Sequence, residues 1–258
     1  MKFQLLPSTF DENGCASPKQ HLACFVIDDT VAIDAGSLAM ASNSAQKAQI
    51  RDVVLTHAHL DHIAGLPLFI DDLFASLSEP ICIHATNEVI EILERDIFNW
   101  NVYPKFSALK NDFGAILKYH PFESGEEFSV KHLSLKSASV NHKVPTVGFI
   151  VSDREKTFAL SGDTAEMNDF WEVVNKEENL DAILIECAFP NELKNIAHDA
   201  HHLTPITLKK EITKSRHQNT PIFVVNMKPM YRNEIIRQLA DLKIENLQIL
   251  EVGKIYNW

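Results

Sequence analysis

The sequence predicts an α/β protein in which two mixed sheets pack face to face with helices outside, an αββα sandwich. Two observations predict this fold class. Strand-like and helix-like segments alternate along the 258 residues, and the alternation starts twice, each time from strands of antiparallel type. Because no low-complexity segment or clear linker interrupts the alternation, we expect a single domain over residues 1–258.

The first half contains short apolar runs of strand type and longer segments with helical spacing. In chain order, the predicted elements are strands over 21–27 and 30–34, a helix over 38–49, a strand over 52–56, a helix from about 61, a strand over 81–84 and a helix over 87–98. The segment NWNVYPKFSALKND that follows, residues 99–112, is irregular and aromatic. We expect it to form a covering loop.

The second half starts again with strands and then alternates. The predicted elements are strands over 115–119, 132–140, 146–151 and 157–160, a helix over 167–176, a strand over 182–185, a helix over 205–215, a strand over 222–225 and a helix over 234–242. This second start predicts the second sheet of the sandwich.

Composition narrows the class of protein. A formal net charge of −11 argues against a broad surface for nucleic acids or anionic membranes. The four cysteines are scattered without a CxxC pair, which is typical of free thiols in a reducing compartment. The N-terminus is not a convincing signal peptide, and no apolar run reaches the length of a membrane span. We therefore expect a cytoplasmic protein.

The stretch VVLTHAHLDHIAGLP concentrates metal-ligating side chains on one loop between a strand and a helix. It places His57, His59, Asp61 and His62 within six positions. Neutral imidazoles and carboxylates together suit a borderline cation such as zinc, manganese or iron. The stretch therefore predicts a metal site.

Two later loops offer further ligands, and each follows a predicted strand. His142 lies in the turn Asn-His-Lys-Val-Pro, and Asp163 lies in Ser-Gly-Asp-Thr after an apolar run. Either loop alone is a weak signal. Together with the HxHxDH stretch, they indicate that several strand ends supply one metal centre.

These motifs resemble the metallo-β-lactamase fold of binuclear metal hydrolases. Within that fold, THAHLDHIAGLPLFIDDLF, the preceding IDAGSL, LSGDT and the later ECAFPNELKN, AHHLTP and KP are similar to class II 3′,5′-cyclic-nucleotide phosphodiesterases. The resemblance runs from about Phe25 to Pro229. It implies hydrolysis of cyclic AMP or cyclic GMP to the nucleoside 5′-monophosphate by a hydroxide that bridges two divalent metal ions, with zinc expected and manganese or iron as alternatives.

The resemblance also implies a role for each motif residue. The first metal ion would be held by His57, His59 and His142. The second would be held by Asp61 and His62, and Asp163 would bridge the two ions. Asp61 would additionally orient the attacking hydroxide.

Further residues are assigned to proton transfer and substrate binding. His202 is the candidate general acid for the leaving oxygen, because imidazole titrates near neutral pH. Glu186 would hold the His202 tautomer, with a non-catalytic buried acid as the alternative. Lys228 would contact the phosphate. Trp100 and Tyr103, on the aromatic loop, are candidates for stacking on the base, with plain hydrophobic packing as the alternative.

One position departs from the family pattern. Relatives tend to end the strand before the Lys-Pro pair in a histidine that completes the second metal site, whereas this chain has Asn226. An amide offers only a carbonyl oxygen and is a weak zinc ligand. Three outcomes are open: a weaker or vacant second site, His202 acting as a ligand instead of an acid, or a preference for a harder metal such as manganese.

Other functions stay open beside the cyclic-nucleotide phosphodiesterase. A tRNA 3′-processing endonuclease shares the metal motif and the HKVPTVGF-like segment, but it needs a basic RNA-binding surface. A lactone or ester hydrolase of the same fold is a third alternative, and a non-catalytic metal-bound protein that binds a nucleotide is a fourth. The expected partner is a small-molecule cyclic nucleotide, with no membrane and no nucleic acid, and a homodimer is an open alternative.

Overall fold

The computed structural model describes residues 1–258, and the chain divides into two compact units. The first unit comprises Met1–Pro18, Leu22–Glu123 and Val252–Asn257. The second comprises Lys19–His21, Ser124–Glu251 and Trp258. The single domain over residues 1–258 stays a prediction.

The first unit is built on a seven-stranded mixed sheet with the order β16-β1-β2-β3-β4-β5-β8. The pairs β3–β4, β4–β5 and β5–β8 are parallel, whereas the pairs β16–β1, β1–β2 and β2–β3 are antiparallel. The strands are β1 (Lys2–Leu5), β2 (Phe25–Ile27), β3 (Val31–Ile33), β4 (Asp52–Val54), β5 (Ile81–Ala85), β8 (Leu117–Pro121) and β16 (Ile255–Asn257). A separate hairpin is formed by β6 (Lys110–Asn111) and β7 (Gly114–Ala115).

Helices cover one face of this sheet. They are α1 (Leu38–Ala41), α2 (Ser44–Gln49), α3 (Leu60–Ile63), α4 (Gly65–Leu73) and α5 (Asn87–Ile92). Leu66 and Phe69 of α4 pack with Val53 and Ile83 of the strands in one buried apolar cluster. Burial of such side chains, at about 1.5–3 kcal/mol each, is the main term that holds helices to a sheet.

The second unit repeats the plan with the order β15-β14-β13-β12-β11-β10-β9. The pairs β12–β13, β13–β14 and β14–β15 are parallel, whereas the pairs β9–β10, β10–β11 and β11–β12 are antiparallel. The strands are β9 (Glu127–Val130), β10 (Leu133–Ser139), β11 (Val147–Ser152), β12 (Thr157–Leu160), β13 (Ala182–Glu186), β14 (Ile222–Val225) and β15 (Leu247–Ile249). Because β10, β12, β13 and β14 run in the same direction, their carboxyl ends lie at the same end of the sheet.

The second unit contains four helices. They are α6 (Asp169–Val174), α7 (Lys194–Ala200), α8 (Pro205–Ile212) and α9 (Arg232–Asp241). Phe170, Leu208 and Ile235 of α6, α8 and α9 share a buried apolar cluster with Ile183 and Val224 of the strands. The α/β class and the two mixed sheets with their helices are confirmed. No helix is both long enough and apolar enough to cross a membrane.

The predicted helix over 38–49 is wrong, because it is broken into α1 and α2 at Asn43. The Asn43 side chain accepts a hydrogen bond from the backbone N–H of Gln46, and the Gln46 side chain accepts one from the N–H of Asn43. This reciprocal capping satisfies donors that would otherwise lack helical partners, and it starts a new helix.

Several strands and one helix were not predicted from the sequence. Strands β1, β9, β15 and β16 lie at or beside sheet edges, and three of them, β9, β15 and β16, have exposed positions that hide the apolar pattern. Helix α7 was missed for the same reason, since most of its residues are exposed. The predicted helix over 87–98 ends in a wider turn over Leu93–Ile97, where the N–H of Phe98 donates to the carbonyl of Leu93.

Candidate metal centre

The first cluster, defined as His57, His59, Asp61 and His62, lies on the loop from β4 into α3. His57 and His62 are buried, and their ring centroids lie 4.1 Å apart. The His59 ring lies edge-on to that of His57 at 4.7 Å. A strand end followed at once by a helix start therefore brings three imidazoles together.

Asp34 holds this cluster from the end of the neighbouring strand β3. Its buried carboxylate contacts the His62 Nδ1 at 2.6 Å and accepts hydrogen bonds from the backbone N–H and the hydroxyl of Thr56. The Thr56 hydroxyl in turn contacts the His57 Nδ1 at 2.9 Å. Because Nδ1 is engaged in both rings, Nε2 is the nitrogen that can coordinate a metal ion.

Asp34 was missed by the sequence analysis, although IDAGSL was noted. Its backbone has a φ of 57°, an uncommon conformation that aspartate tolerates better than most residues. The available signal was a carboxylate directly after a buried strand that runs parallel to β4.

A close backbone approach fixes the loop in place. A Cβ atom added at Gly36 would lie 2.0 Å from the Asp61 carbonyl oxygen, and one at Gly65 would lie 2.6 Å from the Ala35 carbonyl oxygen. The N–H of Ala35 donates to the His62 carbonyl at 2.7 Å. Glycine at these two positions lets two backbone segments touch, which orients the first cluster.

The second cluster, defined as His142, Asp163 and His202, is assembled from separate loops of the second unit. His142 follows β10, Asp163 follows β12, and His202 precedes α8. Their possible ligand atoms all lie within 4.8 Å of one another. The His142 Nδ1 donates to the carbonyl of His201 at 3.0 Å, so that Nε2 of His142 is the coordinating nitrogen.

Glu186 is fully buried at the end of β13 and connects this cluster to the backbone. Its Oε1 accepts the N–H of Thr164 at 2.8 Å and contacts the His202 Nδ1 at 2.6 Å. Its Oε2 accepts the N–H of Ala188 at 3.0 Å. Glu186 therefore sets the orientation of His202 and the path of the chain beside Asp163.

Burial and charge act in opposite directions on this pair. Burial raises the pKa of Glu186, although His202 beside it favours the carboxylate. Burial opposes a charge on His202, but attraction by Glu186 prevails and raises the pKa of His202 above that of an ordinary histidine. This shift favours the protonated imidazole, which is the form that a general acid requires.

Asn226 follows β14 and lies beside Asp163. Its amide nitrogen donates to Oδ1 of Asp163 at 2.8 Å, and its backbone has a φ of 55°. The Asn226 side chain thus contacts Asp163 through its amide nitrogen, and an amide N–H group cannot ligate a metal ion. That position 226 provides a weak metal ligand, or none, stays a prediction.

Glu211 of α8 is a second buried acid that the sequence analysis missed. Its Oε2 accepts hydrogen bonds from the N–H of Met167 at 3.1 Å and from the indole of Trp171 at 2.9 Å, and Lys214 lies 2.7 Å from its Oε1. Glu211 thereby anchors the segment that follows Asp163. A helical glutamate gives no sequence signal for this role.

The proposed substrate residues lie in different units. Lys228 follows Asn226 in the second unit, where its N–H donates to the Ala188 carbonyl. Trp100 and Tyr103 lie in the first unit. The Trp100 side chain is 60% exposed, whereas the Tyr103 ring packs on Phe106 and its hydroxyl donates to Asp71 at 3.2 Å.

Comparison with known families identifies the class of protein. The sequence pattern of the beta-lactamase superfamily domain matches residues 29–219. The chain therefore belongs to the beta-lactamase superfamily, whose metallo-β-lactamase fold implies divalent metal ions.

Solved structures agree with that assignment. The metallo-beta-lactamase fold protein YhfI from Bacillus subtilis has a TM-score of 0.72 at 15% identity, covering 99% of this chain and 98% of YhfI. Unliganded yeast PDE1 has a TM-score of 0.77 at 18% identity, covering 98% of each chain. At sequence identities this low, the structural similarity establishes the fold alone.

Three curated proteins are similar to this chain in sequence. A probable 3′,5′-cyclic-nucleotide phosphodiesterase of Yersinia pestis is 24% identical over 213 residues, 72% of this chain and 59% of the relative. A 3′,5′-cyclic-nucleotide phosphodiesterase of Aliivibrio fischeri is 31% identical over 185 residues, 65% and 54% respectively. A ribonuclease Z of Prochlorococcus marinus is 31% identical over 126 residues, 45% and 36% respectively. The chain thus spans little more than half the length of the two phosphodiesterases.

Proposed function

We propose that this metallo-hydrolase is a phosphodiesterase that converts a 3′,5′-cyclic nucleotide, cyclic AMP or cyclic GMP, into the nucleoside 5′-monophosphate. The observation that carries the proposal is the contact between buried Glu186 and half-buried His202 beside Asp163, which supplies a proton donor among the candidate ligands. The two relatives named as cyclic-nucleotide phosphodiesterases support the same substrate class. The proposed location is the cytoplasm.

The donor set fits two divalent metal ions, with zinc proposed first. Imidazole nitrogens and carboxylate oxygens are ligands that zinc accepts, and the hydrogen bonds to Nδ1 of His57, His62 and His142 present Nε2 in each case. When bound, such ions activate water and neutralise the charge of a phosphodiester.

The proposed ligand assignment follows the family pattern. His57, His59 and His142 would hold one ion, Asp61 and His62 the other, and Asp163 would be shared. Asn226 contacts Asp163 and would orient its carboxylate.

The residues of this chain then have separate tasks in the hydrolysis. Water attacks phosphorus and the bond from phosphorus to O3′ breaks, because the product carries its phosphate on O5′. Asp61 accepts a hydrogen bond from the attacking water and orients it. His202 gives the proton from its Nε2 to O3′, while Glu186 holds Nδ1. Lys228 would attract the phosphate as a point charge.

A second candidate is tRNA 3′-processing, which the ribonuclease Z relative favours. That activity depends on phosphate contacts along an RNA, and a net charge of −11 opposes it.

The test is turnover of cyclic AMP, cyclic GMP, a tRNA precursor and a lactone by one preparation of defined metal content. We expect hydrolysis of a cyclic nucleotide to the 5′-monophosphate with a kcat/KM at least about a hundredfold above that for the other two substrates. A larger kcat/KM for the tRNA precursor or the lactone would overturn the proposal. Loss of activity on chelation, with recovery when zinc or manganese is added, is the control for metal dependence.

A further inference from the structure

An apolar recess of about 260 Å³ lies in the first unit beside the metal-binding loop. One wall is a stripe at four-residue spacing, formed by Leu60 of α3, Ala64 at the junction of the two helices and Leu68 of α4. The other wall is formed by Ile97, Val102 and Tyr103. No charged side chain lines the recess.

The second wall is held in place before any ligand arrives. The side-chain oxygen of Asn99 accepts the backbone N–H groups of Asn101 and Val102, and its amide donates to the Arg95 carbonyl. The N–H of Tyr103 donates to the Ile97 carbonyl at 3.0 Å. Because the Tyr103 hydroxyl is turned to Asp71, the phenol presents its ring to the recess.

The walls are open to a ligand. Leu60 is 67% exposed, Leu68 44% and Val102 62%, which leaves apolar surface uncovered on a strongly charged chain. Apolar side chains exposed side by side around a concave surface mark a binding site. At about 260 Å³, the recess lies just below the usual range of ligand pockets and suits one flat ring system.

Its position connects it to the proposed chemistry. Leu60, on the first wall, lies between the candidate ligands His59 and Asp61 in the chain. We infer that this recess binds the nucleobase of the substrate, with the phosphate at the metal ligands and the ribose between them. This inference rests on the proposed function. It assigns base recognition to Leu68, Val102 and the Tyr103 ring, and not to Trp100.

The test uses the full chain and has a readout without catalysis. Adenosine and guanosine, which lack phosphate, are titrated by calorimetry into chelated protein, and KM and kcat for cyclic AMP and cyclic GMP are measured on the metal-loaded protein. Leu68→Glu and Val102→Ser alter opposite walls at exposed positions. Met40→Glu is the matched control, because Met40 is a helical apolar residue of similar exposure, 48%, outside the recess.

We expect both recess variants to raise the nucleoside Kd and the cyclic-nucleotide KM about tenfold or more, with kcat unchanged and the control unaffected. Nucleoside binding that stays within twofold in both variants would overturn the inference, even where turnover proves the proposed function. A concentration-dependent dimer that both variants abolish without changing nucleoside binding would also overturn it. Nucleoside binding that falls as expected in a protein without cyclic-nucleotide turnover would support the recess and reject the proposed function alone.

Discussion

The two histidine clusters are built in contrasting ways. The first takes all four of its members from six consecutive positions on one loop, and Asp34 contacts its His62 from the end of the adjacent strand. The second gathers His142, Asp163 and His202 from loops up to 60 residues apart, and Glu186 holds it. The first cluster depends on local sequence, whereas the second depends on the register of several strands.

The largest effect is expected in the second cluster, from His202→Ala. If His202 is the general acid, kcat for the cyclic nucleotide falls by about 10²–10⁴-fold while the metal content stays constant. A p-nitrophenyl phosphodiester needs little protonation of its leaving group and should lose much less. Steady-state kinetics on both substrates, with metal analysis, make the comparison.

The matched control is His198→Ala, because His198 is an exposed histidine of α7 whose side chain is 84% exposed. This variant should behave as the unmodified protein. If His202→Ala instead loses metal and both substrates decline equally, then His202 is a ligand in the position that Asn226 cannot fill, and the general-acid role is rejected.

In the first cluster, Asp34→Asn should weaken metal binding by about 10–100-fold, because His62 loses the carboxylate that fixes its ring. Competition with a metallochromic chelator measures the affinity. Asp52→Asn is the control, since Asp52 holds His84 at 2.9 Å on the same sheet in a similar Asp–His pair outside the cluster. Equal affinities of the two variants would show that Asp34 does not support the site.

A smaller change is expected from Asn226→His, which adds an imidazole at the end of β14. Histidine tolerates the positive φ of this position better than most residues do. The variant should retain its more weakly held metal equivalent through dialysis better than the unmodified chain does. Unchanged retention would mean that the ligand position at Asn226 is already filled from elsewhere, with His202 the candidate.

The contrast between the clusters also explains what could be predicted. The HxHxDH loop carries its own signal, since one short stretch after a strand supplies three imidazole rings that lie side by side. His142 and Asp163 were weak signals alone that gained meaning beside the HxHxDH stretch, and His202 was a candidate proton donor. The structure brings these three together.

The supporting acids were harder to predict. Glu186 was noted as a partner of His202, but Asp34 and Glu211 were not. Each acts through contacts that depend on which strands or helices become neighbours: Asp34 meets His62 because β3 and β4 pair in parallel. Likewise, the indole of Trp171 on α6 reaches Glu211 on α8. Sequence periodicity identifies such elements, but it does not determine their partners or register.

The metal stoichiometry of the chain is the most direct test of the proposed metal-dependent hydrolysis. Metal-free protein is titrated with zinc and, separately, with manganese, and bound metal is measured by elemental analysis before and after dialysis. We expect two equivalents per chain at saturation, one of which is held more weakly and is lost on dialysis. Binding of no more than one equivalent, even in excess zinc or manganese, would contradict the proposed hydrolysis with two metal ions.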